Sequence, residues 1–303
     1  MTQPTKKQAW LAAMRPRTLP LAIASSIMGG FLAVADDVFS WPVTLLCVLT
    51  AVFLQILSNL ANDYGDSVHG ADHVERAGPK RAVQTGLISA SEMKRAMAVF
   101  ALFSAVAGLT LVIVALGLAA LPYVLLFVLL GGASIWAAIS YTAGSNPYGY
   151  AGLGDIFVLI FFGWVGTMGT YFLQAQVWNW LVVLPATSVG LLSVAVLNVN
   201  NIRDIDSDRQ AGKHSIPVRV GPHKARIYHW LLLGGAVLCA FLYVGLTYAS
   251  PWQFLFLLSL PLLWRNGTAV WRTYDPLKLN PMLKQLSLST LVFVFTFGIG
   301  QIL

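Results

Sequence analysis

The sequence predicts an all-α fold: a polytopic membrane bundle of nine transmembrane helices around a central cavity, with cap loops on the cytoplasmic side. Three observations predict it. Of 303 residues, 57% are hydrophobic and only 10% are charged, where soluble domains carry about 25% charged residues. Several apolar stretches reach the roughly 20 residues that cross a bilayer as a helix. All 19 Lys and Arg residues fall in alternate connections between those stretches, as the positive-inside rule requires of cytoplasmic segments. No Ser/Gly/Pro-rich linker and no charged tail divides the chain, so residues 1–303 read as one domain.

The elements follow in order. The first 18 residues are polar and basic, ending in Arg15-Pro16-Arg17, and lack the short apolar core and cleavage site of a signal peptide. Spans are read at 19–34 and 41–61, the second ending on a run of acidic residues. Spans 97–116 and 121–141 are joined by an uncharged connection, and 156–174 follows Gly154-Asp155. Span 180–197 ends on another acidic run, and 228–248 follows a basic segment. Span 252–264, running on toward 271, is interrupted by Arg265 and Arg272; span 286–303 closes the bundle. The connections 35–40, 117–120, 175–179 and 249–251 hold no Lys or Arg, so they face outward and the N-terminus is cytoplasmic. Eight spans would strand the basic flank of the last segment. Trp41, Trp178, Trp180 and Trp252 mark the outer border as interfacial aromatics. Cys47 and Cys239 lie inside spans and read as small core residues. The glycines of the spans (Gly29, Gly30, Gly131, Gly132, Gly234, Gly235) read as sites of close helix packing. The net charge of +7 is accounted for by topology, which excludes nucleic acid as a partner and leaves the lipid bilayer.

The acidic residues are few and concentrated. Only 12 residues are Asp or Glu, and seven of them lie in Asn62-Asp63-Tyr64-Gly65-Asp66 with Asp72 and Glu75, and in Arg203-Asp204-Ile205-Asp206-Ser207-Asp208. Carboxylates at a membrane edge are costly, which marks them as functional candidates. In helical geometry Asn62 and Asp66 share a face, and Asn200, Asp204 and Asp208 repeat the spacing of four. Oxygen donors without Cys or His favour Mg²⁺ over zinc, and Mg²⁺ prefers a few carboxylates plus phosphate oxygens to a closed protein cage. Arg15 and Arg17, Arg76, Lys80 and Arg81, and Arg203, Arg209 and Lys213 stand where they would neutralise a metal-bound diphosphate. The same patterns also read as solvated helix ends and as ordinary cytoplasmic charge. The two long connections, 62–95 and 198–227, both begin with an acidic cluster and are expected to form an ordered cap.

Taken together, these residues resemble the UbiA superfamily of intramembrane aromatic prenyltransferases over nearly the whole chain. Its first motif is similar to Asn62-Asp63-Tyr64-Gly65-Asp66 with Asp72, and its second to Asp204 through Asp208 with Gly212 and Lys213. Arg15-Pro16-Arg17-Thr18-Leu19-Pro20 and Gly78-Pro79-Lys80-Arg81-Ala82-Val83-Gln84-Thr85-Gly86 resemble two further family segments. The family pattern places a third Asp at position 70, which is Gly70 here; Asp72 is the nearest substitute. The strings around Leu54 to Asp66, Tyr148-Gly149-Tyr150-Ala151-Gly152-Leu153-Gly154-Asp155 and Leu197 to Asp204 look like the branch that acts on 1,4-dihydroxy-2-naphthoate in menaquinone synthesis.

The resemblance implies a polyprenyl diphosphate and an aromatic acid as substrates and Mg²⁺ as cofactor. It implies metal ligation by Asn62, Asp66, Asp204 and Asp208, with Asp72 as a further metal-site residue, either a ligand or a group behind the ligands. Asp63, Asp66, Asp204 and Asp208 would be catalytic, and Arg17, Arg81, Arg203 and Lys213 would bind diphosphate. The implied reaction attacks an allylic cation with the carboxylated ring, loses CO₂ and diphosphate and gives demethylmenaquinone, at the cytoplasmic face of a bacterial inner membrane. Another aromatic acid, such as 4-hydroxybenzoate, is the alternative acceptor; a cation-coupled secondary transporter is the alternative of a different class.

Other residues carry two readings. Asn59 and Asn198 would be costly against lipid and are placed toward the cavity, as acceptor or cation contacts. Tyr141 either stacks on the cation or ring, or is an interfacial anchor. Asp155 is expected to cap the fifth helix. His69, His73 and His214 show no paired metal spacing and read as solvated.

Overall fold

The computed structural model describes residues 5–68 and 81–303. Its regular elements are all helical, and no strand occurs among the described residues. Eight helical segments are long and apolar enough to cross a membrane. They lie where eight of the nine spans are predicted.

The first element, α1 (Lys6–Met14), is absent from the sequence expectation, because nine residues opening on two lysines carry no apolar period. A capping box starts it: Gln8 N–H donates to Thr5 Oγ1 while Thr5 N–H donates to Gln8 Oε1. A turn at Pro16–Thr18 then leads into α2 (Leu19–Ala35), which is followed by α3 (Trp41–Val68), α4 (Ala90–Leu116) and α5 (Leu121–Ser140). The fifth predicted span is one helical run made of α6 (Gly154–Val158), a π-helical stretch at Leu159–Val165 and α7 (Gly166–Ala175). α8 (Val183–Arg203) and the short α9 (Ile205–Gln210) follow, then α10 (Ile216–Thr247), which is interrupted at Gly221. A 3₁₀ stretch, Pro251–Ser259, runs into α11 (Leu260–Arg272), and α12 (Asn280–Ile302) ends the chain.

The predicted eighth span is therefore helical, yet it is not among the segments apolar enough to span by composition. Polar groups hold it in place. Asn266 of α11 donates through Nδ2 to Gln285 Oε1 of α12, and its Oδ1 accepts from His229 Nε2 of α10 at 3.0 Å.

On the basic side the helices run past their predicted borders. α3 continues to Val68, α8 to Arg203, α4 begins at Ala90 and α10 at Ile216. Hydropathy reports only the stretch inside hydrocarbon, whereas the i→i−4 ladder continues as long as nothing breaks it. The acidic clusters consequently sit on helix ends rather than in loops.

Three apolar clusters frame an interior space. The largest joins α2, α8, α10 and α12 through residues such as Met28, Leu32, Leu192, Phe293 and Phe297. A second joins α1, α3 and α4, and a third, with Val43, Cys47, Leu111, Phe127 and Phe172, closes the end remote from the acidic clusters. Large side chains such as Leu102, Leu129, Leu231 and Leu258 are exposed on the outside, as a lipid-facing surface requires, and Trp41, Trp180 and Trp252 are exposed at its border. The glycine expectation holds in part. A Cβ on Gly29 would meet Thr167 and Thr170 closely, but Gly131, Gly132 and Gly234 have open space and do not mediate packing.

Candidate functional site

Between the three clusters lies a cavity of about 580 Å³. Its walls are apolar over most of their depth, with Leu54, Phe127, Phe157 and Phe161 among the lining residues. Its mouth is polar: Arg15, Arg17, Asn62, Asp66, Arg81, Asn200, Asp204, Asp208 and Lys213 all line it.

The two acidic clusters converge there on one ammonium. Lys213 Nζ lies 2.9 Å from Asp66 Oδ1 and 3.5 Å from Asp208 Oδ1. Local geometry explains how the lysine arrives. α9 ends in a Schellman turn, in which Gly212 takes a positive φ of 72° while its N–H donates to the Arg209 carbonyl and that of Lys213 donates to the Asp208 carbonyl. A residue with a Cβ is strained at that φ, which gives the Gly-Lys pair after the acidic run a physical reason.

Asp66 is fully buried and also forms an ion pair with Arg81. Arg81 Nη1 donates to the Asn62 carbonyl at 2.5 Å, and Arg15 donates to the Asn62 side chain. Tyr150 completes the group: its hydroxyl donates to Asp66 Oδ1 at 3.0 Å and Lys213 Nζ sits 4.9 Å from its ring centroid. Burial, followed by the Asp66 charge and this hydrogen bond, pushes the Tyr150 phenol well above its ordinary value, so it remains a donor at neutral pH.

The segment between α5 and α6 joins the two halves. Thr142 Oγ1 donates to the Ala61 carbonyl of α3 at 3.0 Å, and Gly65 lies so close to the Thr142 backbone that no Cβ fits. From the same segment the Tyr150 carbonyl accepts from the His214 N–H at 2.9 Å, and the Ala151 carbonyl accepts from Arg219 Nη2 at 2.6 Å. One connection thus clamps the end of α3 to the turn after α9.

Several expected site residues are placed elsewhere. Asp63 does not line the cavity; its carboxylate accepts from the N–H groups of Ala82 (3.2 Å) and Val83 (3.3 Å), fixing the turn that carries Arg81. Arg203 does not line it either. Its guanidinium is bidentate to Asp204, at 2.8 and 2.6 Å, and donates to Asn280 and Asn200, so most of its N–H groups are committed within the protein. Asn198 turns from the cavity to α10, where it donates to the Ala225 carbonyl at 3.0 Å. The partners are a turn for Asp63, Asp204 and Asn280 for Arg203, and α10 for Asn198. Asp155 does not cap α6 with its side chain; Tyr228 donates to it at 2.9 Å.

Asn59 does line the cavity, though its amide is used internally, donating to the Met14 carbonyl and Thr18 Oγ1. Tyr141 and Arg17 line it as expected. Asp72, with Gly70, Glu75, Arg76, Lys80, His69 and His73, lies outside the described residues. Tyr150 and the helix α1 that positions Arg15 and Asn59 were missed by sequence reasoning. The Tyr148 to Asp155 string was the available signal for Tyr150.

Among the described residues no three Asp, Glu, His or Cys groups converge tightly enough to bind an ion by themselves. Lys213 stands between Asp66 and Asp208, and Arg81 pairs with Asp66. The donor set nevertheless suits a hard divalent cation: Asn62, Asp66, Asp204 and Asp208 supply only oxygens, and all open on one mouth. A magnesium site of this kind leaves coordination positions open for phosphate oxygens.

Comparison with known proteins agrees with this geometry. The model of the UbiA prenyltransferase family matches residues 22–291. The chain is 48% identical to 1,4-dihydroxy-2-naphthoate octaprenyltransferase of Escherichia coli (strain K12), over 99% of this chain and 98% of that one. It is 36% identical to the protein of the same name from Mycobacterium tuberculosis, over 94% and 93%. A solved UbiA homolog from Archaeoglobus fulgidus bound to DMAPP and Mg²⁺ has the same fold, with a TM-score of 0.67 at 16% identity over 97% of this chain and 98% of that one.

Proposed function

The chain belongs to the UbiA prenyltransferase family, and from that premise we propose that it transfers a polyprenyl group from polyprenyl diphosphate to 1,4-dihydroxy-2-naphthoate. CO₂ and diphosphate are lost, and the product is the naphthoquinol that oxidises to demethylmenaquinone. The observation that carries this is the single ammonium of Lys213 shared by Asp66 and Asp208 at the mouth of an apolar cavity. The names of the relatives at 48% and 36% identity support the choice of acceptor.

The residues divide the work by chemistry. Arg15, Arg17, Arg81 and Lys213 ring the mouth and neutralise the diphosphate, which makes it a better leaving group. Asn62, Asp66, Asp204 and Asp208 would hold Mg²⁺, which, when bound, supplies positive charge to the departing diphosphate oxygens; the Mg²⁺-bound Archaeoglobus fulgidus homolog supports this assignment. The apolar walls receive the prenyl tail and keep water from the allylic carbon. Tyr141 and Phe157 line the cavity below the mouth, where an aromatic face stabilises the cation that forms as the carbon–oxygen bond breaks. The electron-rich ring then attacks that carbon, and loss of CO₂ restores its aromaticity. The positive-inside pattern supports a cytoplasmic mouth, and the bacterial relatives support a bacterial inner membrane.

The test is turnover. Purified protein with Mg²⁺, octaprenyl diphosphate and dihydroxynaphthoate should release diphosphate and form a prenylated naphthoquinol. Turnover with 4-hydroxybenzoate but none with dihydroxynaphthoate would overturn the acceptor assignment.

A further inference from the structure

The deep wall of the cavity is sparing with hydrogen-bonding groups, and most of those present are already used. Thr50, Ser104, Ser134, Thr170 and Ser193 line it, and each donates to the carbonyl four residues back on its own helix. Ser287 of α12 lines the same cavity and is 1% exposed, yet its buried Oγ has no hydrogen-bond partner. Asn201 of α8 also lines it, is buried, and its amide makes no hydrogen bond among the described residues. An unpartnered polar side chain in an apolar wall is costly, and the cost is recovered when a ligand supplies the partner.

The two face one compartment. Arg203 Nη1 donates to Asn280 Oδ1 at 2.8 Å, which sets the register between α8 and α12. These helices run in opposite directions, so seven residues inward from that bond stand Ser287 on α12 and Val196 on α8, both lining the cavity about 10 Å along the axis. Asn201 lies two residues from Arg203 and about 7 Å nearer the mouth than Val196. On the third side, Phe31 of α2 packs on Phe295 of α12 with ring centroids 5.5 Å apart, which places the turn of Leu21 and Ala22 near the level of Ser287. The compartment therefore sets neutral hydrogen-bonding groups among apolar side chains, with Asn201 toward the mouth and Ser287 deeper; Ser25 and Ser26 of α2, and Ser215, also line the cavity. Cations are confined to the mouth.

We propose that Asn201 and Ser287 bind the phenolic oxygens of the aromatic acceptor and decide which acceptor is used; this rests on the prenyl transfer proposed for the chain. Neutral donor–acceptor groups suit a phenol, which both donates and accepts, whereas a diphosphate is served by the cations of the mouth. The apolar side walls take the ring faces. A site built to hydrogen-bond both ends of a ring discriminates against acceptors that reach only one.

The experiment uses full-length protein in lipid nanodiscs and measures the acceptor KM and the prenyl diphosphate KM separately, for wild type, Ser287→Ala and Asn201→Ala. Each variant is expected to raise the dihydroxynaphthoate KM about tenfold, the loss of one good hydrogen bond, and to leave the prenyl diphosphate KM unchanged. Ser287→Thr, which keeps the hydroxyl, should recover part of the loss. Ser287→Ala removes a group that no protein atom uses, so its thermal midpoint should be unchanged or higher; it carries the test alone if Asn201→Ala does not fold. Unchanged acceptor KM in Ser287→Ala, or a parallel rise in both KM values, would overturn the proposal. Wild-type protein that prenylates no aromatic acid overturns prenyl transfer itself and the acceptor site with it.

Discussion

The two acidic clusters look alike in sequence and are used differently. On α3 the helix is continuous through Asn62, Asp63 and Asp66; Asp63 turns outward to two backbone N–H groups, and Asp66 turns inward to Arg81 and Lys213. On the other side the helix breaks at Asp204, whose carboxylate is chelated by its own neighbour Arg203, while Asp208 reaches Lys213. The first cluster thus commits Asp63 to construction and Asp66 to the shared ammonium. In the second, Asp204 and Asp208 both line the mouth, one held by Arg203 and the other by Lys213. The lesson is that a DxxxD-type spacing places oxygens on a face but does not assign their work. Neighbouring helices and turns do that.

The sharpest way to break this comparison is to neutralise the shared pair. Asp66→Asn and Asp208→Asn should each lower kcat by roughly 10²–10³-fold, the scale of losing a group that organises charge at the reacting centre. Asp66→Asn should also lower stability by about 3 kcal/mol, because it leaves Arg81 buried beside a neutral amide. Denaturation midpoints alongside diphosphate release would check both, and an active Asp208→Asn would remove the second cluster from the site.

Asp63→Asn should behave oppositely, with a stability loss of about 1–2 kcal/mol and most of the kcat retained, since an amide oxygen still accepts one of the two N–H bonds. If instead it abolishes kcat at unchanged stability, Asp63 acts on substrate and the division of labour fails. Gly212→Ala should cost about 1 kcal/mol through strain at positive φ and raise the prenyl diphosphate KM severalfold as Lys213 shifts.

The smallest effect is expected from Tyr150→Phe, which keeps the ring over Lys213 and loses only the bond to Asp66. A two- to fivefold fall in kcat/KM, about 0.5–1 kcal/mol, is the scale. The phenol is raised above its ordinary value, so its protonated, donating form is present throughout the neutral range and its stabilising bond is lost only as pH rises through the raised folded value. Wild type and Tyr150→Phe should therefore show the same pH–rate profile from pH 6 to 9. A wild-type alkaline limb that disappears in the variant would show that Tyr150 titrates within that window.

Much of this was legible from the chain alone, and the failures share a cause. Asn62, Asp66, Asp204, Asp208, Arg17, Arg81, Lys213, Asn59 and Tyr141 were expected at the cavity and line it. Asp63, Arg203 and Asn198 were expected there too, and each lies within one helical turn of a residue that does line it. A rotation of about 100° per residue separates the two outcomes, and hydropathy does not resolve it in a helix buried on most sides. Tyr150 was missed because its partner Asp66 is 84 residues away.

Hydropathy and charge are properties of short stretches, so the sequence by itself determined the helical bundle, the side on which its cations gather and the acidic character of two helix ends. The interruption of the eighth span by arginine was equally local and equally readable. What only the tertiary structure decided is that the two ends meet on Lys213, and that Asp66 rather than Asp63 faces inward. That outcome depends on the Thr142–Ala61 and Tyr150–His214 hydrogen bonds, which join residues far apart in sequence, and on a glycine turn whose direction matters only once both helices are packed.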